Sequence, residues 1–207
     1  MLTDGQIERY SRQIILPEVG GRGQERLLAA RLAVIAEIED LTPALNYLAG
    51  AGIGSICLDT PAGEKFERIE SEIRELNPEV RVAMATTESA SAQTLLILAG
   101  TDRVVAAARR INQGPAYQRV ILARLDERYL IGILGSRSPC LACAHQSLLA
   151  PIGKRGDFAG LVAMVAATET IKSLLEAGPQ SPRLIEFTGH ESRARTLQAA
   201  PGCTTCS

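Results

Sequence analysis

Short apolar runs alternate with longer amphipathic segments through the first part of the chain. The runs are rich in Val, Ile and Leu and have few polar interruptions, which is the pattern of strands buried on both faces of a sheet. Strands that alternate with helices predict a parallel, doubly wound (Rossmann-like) α/β sheet with helices on both faces. The predicted strands are residues 32–36, 56–59, 80–84, 95–98 and 120–123.

Helix signals lie between these runs. Thr42-Pro43 marks a helix start, because proline at the first helical position loses no hydrogen bond, and Gly52 is expected to stop that helix. Asn77-Pro78 closes a charged segment in the same way. The predicted helices are residues 3–15, capped by Thr3 or Asp4, then 42–51, 64–76 and 102–112.

The alternation stops after the fifth strand. Residues 129–134 form another apolar run after only a short polar stretch, which predicts a hairpin and antiparallel edge strands. An apolar helix follows at about 160–177, ended by Gly178-Pro179. Two further strands are expected at 183–187 and 193–197.

The chain length of 207 residues fits one domain with a substantial core. We expect a single domain over 1–207. It would consist of an N-terminal helical arm (1–30), a Rossmann-like core (31–135) and a C-terminal segment (136–207).

Composition excludes several classes of function. The net charge is −1, aromatic residues make up 3% and there is no Trp, so neither a basic surface nor a base-stacking platform for nucleic acid is expected. The start of the chain lacks the basic and apolar regions of a signal peptide. No apolar run approaches the ~18 residues that a membrane span needs. We therefore expect a cytoplasmic protein without membrane or nucleic-acid partners.

Two Cys-x-x-Cys pairs use four of the five cysteines, Cys140/Cys143 and Cys203/Cys206. Two such pairs can provide the four thiolates of a tetrahedral Zn²⁺ site. A closed shell of this kind leaves no position for a substrate, so the predicted zinc is structural and pins the C-terminal segment. A reducing cytoplasm favours metal ligation over disulfides. Redox-active dithiols, or buried cysteines that are merely close in sequence, are the alternatives.

Distinctive short segments are spread along the whole chain. They are residues 8–16 (ERYSRQIIL), 23–25 (GQE), 47–54 (YLAGAGIG), 76–78 (LNP), 101–102 (TD), 139–143 (PCLAC), 167–172 (ATETIK) and 201–206 (PGCTTC). The opening ERYSRQIIL and the double Cys-x-x-Cys are the most specific of them. Together these segments resemble the ThiF/MoeB/HesA family, the bacterial relatives of ubiquitin-activating enzymes.

This resemblance implies ATP-dependent adenylation of the C-terminal Gly-Gly of a ubiquitin-like sulfur carrier, assisted by Mg²⁺. The family places ATP at a Gly-x-Gly-Gly-x-Gly turn after the first strand, where backbone N–H groups approach phosphate. Here residues 36–41 read AEIEDL, and none of the four glycines is present. Glu37, Glu39 and Asp40 place three carboxylates where the negatively charged phosphates of ATP would bind. On a rough Coulomb estimate, the repulsion between these like charges costs several kcal/mol. We therefore expect ATP and Mg²⁺ not to bind.

A second departure follows the second strand. The family carries an acidic residue there for the ribose, and then a segment whose arginine contacts phosphate. In this chain the arginine-bearing segment is missing, and residues 58–63 run almost directly into Glu64-Lys65. Asp59 is the candidate for the ribose acid, one residue out of register.

Three further positions match functional residues of the family. The resemblance assigns Lys65 to phosphate contact, Asp102 to the catalytic, Mg²⁺-side aspartate, and Arg12 to an arginine that reaches into the partner's ATP site across a dimer. The residue after Asp102 is Arg103, where the family usually has Asn. Each has a plainer interpretation: Lys65 on a solvated helix face, Asp102 as a helix cap and Arg12 as a surface arginine.

Three functions are consistent with this sequence. The first is a degenerate, non-adenylating protein that serves as a zinc-containing binding or scaffold subunit for a sulfur carrier or an active paralogue. The second is an adenylyltransferase with an altered nucleotide site. The third is a zinc-dependent thiol protein, which the closed shell disfavours. A homodimer is expected from the resemblance.

Overall fold

The computed structural model describes residues 1–36, 42–60, 63–85, 92–100, 102–104, 106–107, 117–125, 129–135, 139, 143–144, 159–179, 181–188 and 191–203. The labelled helices are α1 (Asp4–Arg9), α2 (Ser11–Ile14), α3 (Gly20–Ala29), α4 (Thr42–Gly50), α5 (Gly63–Leu76) and α6 (Ala159–Leu174). The strands are β1 (Arg31–Ala36), β2 (Ser55–Asp59), β3 (Arg81–Met84), β4 (Thr94–Ala99), β5 (Arg119–Leu125), β6 (Tyr129–Gly135), β7 (Arg183–Thr188) and β8 (Glu191–Thr196).

All eight labelled strands join one sheet in the order β3-β2-β1-β4-β5-β6-β7-β8. The five strands from β3 to β5 pair in parallel, and β5–β6, β6–β7 and β7–β8 pair antiparallel. Every residue of β4 is buried, as expected for a central parallel strand. The predicted doubly wound α/β fold with antiparallel edge strands is confirmed.

Each face of the sheet carries its own apolar core. On one face, alternate strand residues pack with α4, α5 and α6 through Leu45, Ile73 and Val162. The opposite face includes Ile35 and Ile97, and it is covered by helical residues after β4, by Ala144 and by Leu197. Helical residues therefore pack on both faces of the sheet.

The N-terminal arm differs from the predicted continuous helix over 3–15. The helix breaks at Tyr10, whose backbone leaves helical geometry at φ −100° and ψ 14°. The Tyr10 side chain is 1% exposed, and its hydroxyl accepts a hydrogen bond from Asn77 Nδ2 at 2.9 Å. The break is accounted for by this anchoring of the ring in the core. The predicted cap is confirmed, since Thr3 and Gln6 form a reciprocal capping box.

Most other predicted boundaries agree with the structure. Helix α4 begins at Thr42 and ends at Gly50, and Gly52 follows with a left-handed φ of +85°, the conformation that favours glycine after a helix. Residues 102–104 and 106–107 are helical, and the rest of the predicted helix 102–112 lies outside the described residues.

Helix α6 is attached to β7 by a buried carboxylate. Glu169 receives ion pairs from Lys172 Nζ at 2.7 Å and from Arg183 Nη2. Arg183 also donates to the Pro179 carbonyl at 2.6 Å, so the loop after α6 is tied back to the helix. Among the described helices, none combines the length and apolar character that a membrane crossing requires.

Candidate functional site

The carboxyl ends of β1 and β4 form the topological switch point of the sheet. From β1 the chain continues to β2 on one side, whereas β4 lies on the other side of β1 and leads on to β5. In open α/β sheets, ligands bind in the crevice outside the carboxyl ends of strands at such a point. We refer to this region, bordered by the ends of β2, β1 and β4, as the switch-point crevice.

Asp59 and Arg103 form an ion pair at this crevice. Asp59 is the last residue of β2, and Arg103 lies four residues after the end of β4. Arg103 Nη2 donates to Asp59 Oδ1 at 3.0 Å, with the side chains 24% and 31% exposed respectively. The candidate ribose acid is thus engaged by an arginine of the chain itself.

Lys65 and Asp102 lie at the same edge. Lys65 is in the first turn of α5, which follows the carboxyl end of β2, and it is half-buried. Asp102 is exposed in the first described helical residues after β4. Within the described part of the chain, no hydrogen bond or ion pair involves either side chain. The structure therefore brings Asp59, Lys65 and Asp102 to the carboxyl edge of the sheet.

The turn that departs from the family lies mostly outside the described residues. Ala36 ends β1 and is buried, and residues 37–41 are not described. The chemical prediction for Glu37, Glu39 and Asp40 therefore stays a prediction from sequence.

Arg12 lies at the opposite edge of the sheet. Its neighbour Gln13 donates through Nε2 to the carbonyl of Gly50, the last residue of α4, at 3.1 Å. Helix α4 runs from the carboxyl end of β1 to the amino end of β2, so this contact places α2 at the amino edge. Arg12 is exposed there, and within one chain it is not brought together with Lys65 and Asp102.

The described parts of the two Cys-x-x-Cys segments touch each other. The backbone N–H of Ala200 donates to Cys143 Sγ at 3.3 Å, and the Cys203 N–H donates to the Ala200 carbonyl at 3.1 Å. A cysteine sulfur can accept a hydrogen bond from a backbone N–H. This contact joins segments 57 residues apart in sequence, and it fits a shared metal site.

Cys140 and Cys206 lie outside the described residues. In the remaining, described part of the chain there is no group of three or more potential metal ligands. The strands that lead toward this region, β6 and β8, both end at the amino edge of the sheet. The polypeptide chain therefore runs from these strands into the predicted zinc segment at the edge of the sheet opposite the switch-point crevice.

Sequence reasoning missed Arg103 as a residue of the crevice. In the sequence, Arg103 stands out only as a departure from the family's usual Asn. The signal appears only once the strand order is known, because Asp59 ends β2 and Arg103 follows β4, the two strands that flank β1. Opposite charges at those two positions can meet across the intervening strand.

Several curated proteins similar to this chain are adenylyltransferases by name. The adenylyltransferase and sulfurtransferase MOCS3 of Aedes aegypti is 30% identical over 247 residues, a match that takes in all of this chain and 56% of MOCS3. The chain thus spans little more than half of that relative. The sulfur carrier protein ThiS adenylyltransferase of Escherichia coli is 26% identical over 246 residues, covering 99% of this chain and 97% of the relative. The chain matches no protein-family model.

Both matches run over more positions than the 207 residues of this chain, which agrees with a segment missing here. Among solved structures, E. coli MccB with succinimide has a TM-score of 0.72 over 96% of this chain and 74% of MccB, at 18% identity. That likeness shows a common fold. Taken with the collinear sequence motifs, the adenylyltransferase relatives show that the chain is similar to proteins of the ThiF/MoeB type.

Proposed function

We propose that this protein adenylates the C-terminal tail of a ubiquitin-like sulfur carrier. The observation that carries the proposal is the match over 97% of a relative named for adenylating the sulfur carrier ThiS. The crevice supports it, because Lys65 and Asp102 lie at the ligand-binding edge of the sheet and have no partner among the described residues.

In this proposal, bound ATP supplies the adenylyl group, and the chain's residues position the reactants. Lys65 offers a cation to phosphate, and Asp102 offers a carboxylate on the side where Mg²⁺ would be held. Asp59 does not fit a role toward ribose while Arg103 holds it. The nucleotide site is therefore expected to be weaker than that of relatives with the glycine turn.

A non-adenylating subunit is the second candidate. It would bind a sulfur carrier or an active paralogue without using nucleotide. Two observations favour it: the glycine-free sequence AEIEDL at 36–41 and the engagement of Asp59 by Arg103. The relatives named above favour the first candidate.

The decisive experiment is pyrophosphate exchange with purified chain, Mg·ATP and a set of candidate sulfur carriers from the same source. We expect exchange that depends on one carrier and falls about 100-fold in Asp102→Asn, since removing a group that acts in the transition state costs about two orders of magnitude. Asp4→Asn is the matched control, because Asp4 lies in the first turn of α1.

Two other outcomes have defined meanings. Exchange at the level of a blank, with calorimetric binding of a carrier intact, would favour the non-adenylating candidate. If neither exchange nor carrier binding is found, both candidates are wrong.

We also propose a structural Zn²⁺ held by Cys140, Cys143, Cys203 and Cys206. The Cys143–Ala200 hydrogen bond supports this proposal, because it brings the first Cys-x-x-Cys against the residues that precede the second. Zinc at this place would stabilise the C-terminal segment rather than take part in chemistry.

A dimer belongs to the same set of proposals. Around Arg12, the apolar side chains of Ile15 and Leu16 are exposed, a surface that a second copy or a paralogue could cover. Arg12 would then act toward the crevice of the partner, since it lies at the other edge of its own sheet.

A further inference from the structure

The Asp59–Arg103 ion pair spans the strand at the centre of the switch-point crevice. Asp59 is on β2 and Arg103 follows β4, and β1 lies between those two strands. Asp59 is paired in register with Ile35, one residue before the end of β1. The side chains thus meet across the carboxyl end of β1, where the general rule for open sheets places a ligand.

The attachment of Arg103 is incomplete. Its guanidinium donates to Asp59 through Nη2, and no other hydrogen bond of the Arg103 side chain is found among the described residues. Arg103 Nε is buried without an acceptor. A buried N–H without a partner is unfavourable, so this arrangement leaves part of the guanidinium's hydrogen-bonding capacity unused.

Exposure also limits the strength of the pair. Both side chains are in partial contact with solvent, where water and salt screen the attraction. A pair of this kind can be displaced by a ligand that makes better contacts. It differs from a fully buried ion pair, which would be a permanent part of the core.

We propose that Asp59 and Arg103 form a latch that closes the switch-point crevice and lowers its affinity for a nucleotide. In the closed state, Asp59 is occupied and Arg103 lies across β1. A nucleoside triphosphate must first separate the two side chains, and its apparent affinity is reduced by the fraction of molecules in which they are apart. This inference rests on the proposed nucleotide-dependent function and adds a regulation of the same site.

The alternative role of Arg103 predicts the opposite effect on nucleotide affinity. An arginine that recognises phosphate directly would strengthen nucleotide binding, and its removal would weaken it. A latch weakens binding, and its removal strengthens it. The direction of the change in Kd therefore separates the two roles.

The experiment is calorimetric titration of the full chain with Mg·ATP, for the natural sequence and for Arg103→Asn. We expect Arg103→Asn to bind about tenfold more tightly, the factor that follows if the open state is about a tenth of the population. Arg193→Asn is the matched control, since it removes an arginine paired with Glu191 at 2.9 Å on β8, at the far side of the sheet. That control should leave Kd unchanged.

The same substitution in an Asp59→Asn background tests whether the pair itself is responsible. With Asp59 neutralised, Arg103 is no longer held, and Arg103→Asn should give no further gain. An equal gain in both backgrounds, an unchanged or weaker Kd in Arg103→Asn, or no detectable binding to Arg103→Asn at millimolar Mg·ATP would overturn the latch.

A failure of the latch proposal and a failure of the adenylation proposal give different experimental results. Tighter nucleotide binding by Arg103→Asn without pyrophosphate exchange would leave the latch intact and contradict the adenylation proposal. Carrier-dependent exchange by the natural chain, with Kd unaffected by Arg103→Asn, would support adenylation and reject the latch.

Discussion

At the scale of single residues, Tyr10 connects the N-terminal arm to the core. Its hydroxyl accepts from Asn77 Nδ2 at 2.9 Å and donates to Glu79 Oε2 at 3.2 Å. Asn77 also donates to the Ala49 carbonyl at 2.8 Å. One buried polar group therefore joins α1 and α2 to the ends of α4 and α5.

Replacing this hydroxyl tests its contribution. We expect Tyr10→Phe to lower the free energy of unfolding by about 1 to 2 kcal/mol, because Asn77 Nδ2 keeps its bond to Ala49 while Glu79 loses a donor. Urea denaturation measures the change. Tyr47→Phe is the control, since Tyr47 is exposed, and a similar loss there would contradict the role given to Tyr10.

The pH dependence of stability provides a second measurement on the same variant. Burial raises the pKa of Tyr10 above its ordinary value of 10.0, the Asn77 hydrogen bond opposes this rise, and the charge of Glu79 adds to it. The folded state thus keeps the Tyr10 proton to higher pH than the unfolded chain. Its stabilisation is complete below about pH 10 and is lost as the pH rises further. Tyr10→Phe should lose less stability than the natural chain over that alkaline range.

Site residues were only partly predictable from the sequence. Asp59, Lys65 and Asp102 follow strands or begin helices, so strand prediction alone assigns them to one edge. The contact between Asp59 and Arg103 depends on which strands are neighbours, and the sequence does not state that β1 lies between β2 and β4. Side-chain pairing across a strand requires the three-dimensional order.

At the scale of elements, the strands were predictable because burial on both faces forces continuous apolar runs. The shape of the N-terminal arm was not predictable, because a helical pattern over residues 3–15 gives no sign of the break at Tyr10. That break depends on Asn77, which is 67 residues away in sequence. Local propensity predicts local geometry, and a distant hydrogen bond overrides it here.

The junction between α3 and β2 allows a sharp test of close packing. A Cβ added at Gly54 would lie 1.9 Å from the carbonyl oxygen of Leu28, so the backbone would have to move. We expect Gly54→Ala to cost about 2 to 4 kcal/mol of unfolding free energy, as overpacking against fixed atoms does. Thermal and urea denaturation provide the measurement.

Gly50→Ala is the matched control for this junction. Gly50 is the last residue of α4, it is exposed, and a Cβ there meets nothing within 4 Å. Its effect should stay within about 1 kcal/mol in either direction. Equal losses in both variants would show that the approach of Leu28 is not the cause.

At the scale of the whole molecule, the proposed zinc site joins distant parts of the chain. Freshly purified protein should contain close to one zinc ion per chain, and Cys203→Ser should lose the metal. Because metal binding of this kind is coupled to folding, we expect the variant to melt at a lower temperature and its C-terminal segment to be cleaved faster by protease.

Cys57→Ser is the control for the zinc prediction, because Cys57 lies within β2 and belongs to neither Cys-x-x-Cys. It should keep its metal. Zinc-free protein with all four paired cysteines open to thiol reagents would contradict the site.

The coverage of α4 by α6 has a consequence for the way the protein is made. Helix α6 contacts α4 together with β4, β5 and β6, and it supplies Val162, Ala163 and Ala166 to their common core. On the ribosome, the apolar face of α4 emerges more than a hundred residues before its covering helix. A nascent chain that has completed the five parallel strands therefore still presents an open apolar surface, which is the kind of surface that chaperones bind. Its productive release has to wait until α6 has been synthesised.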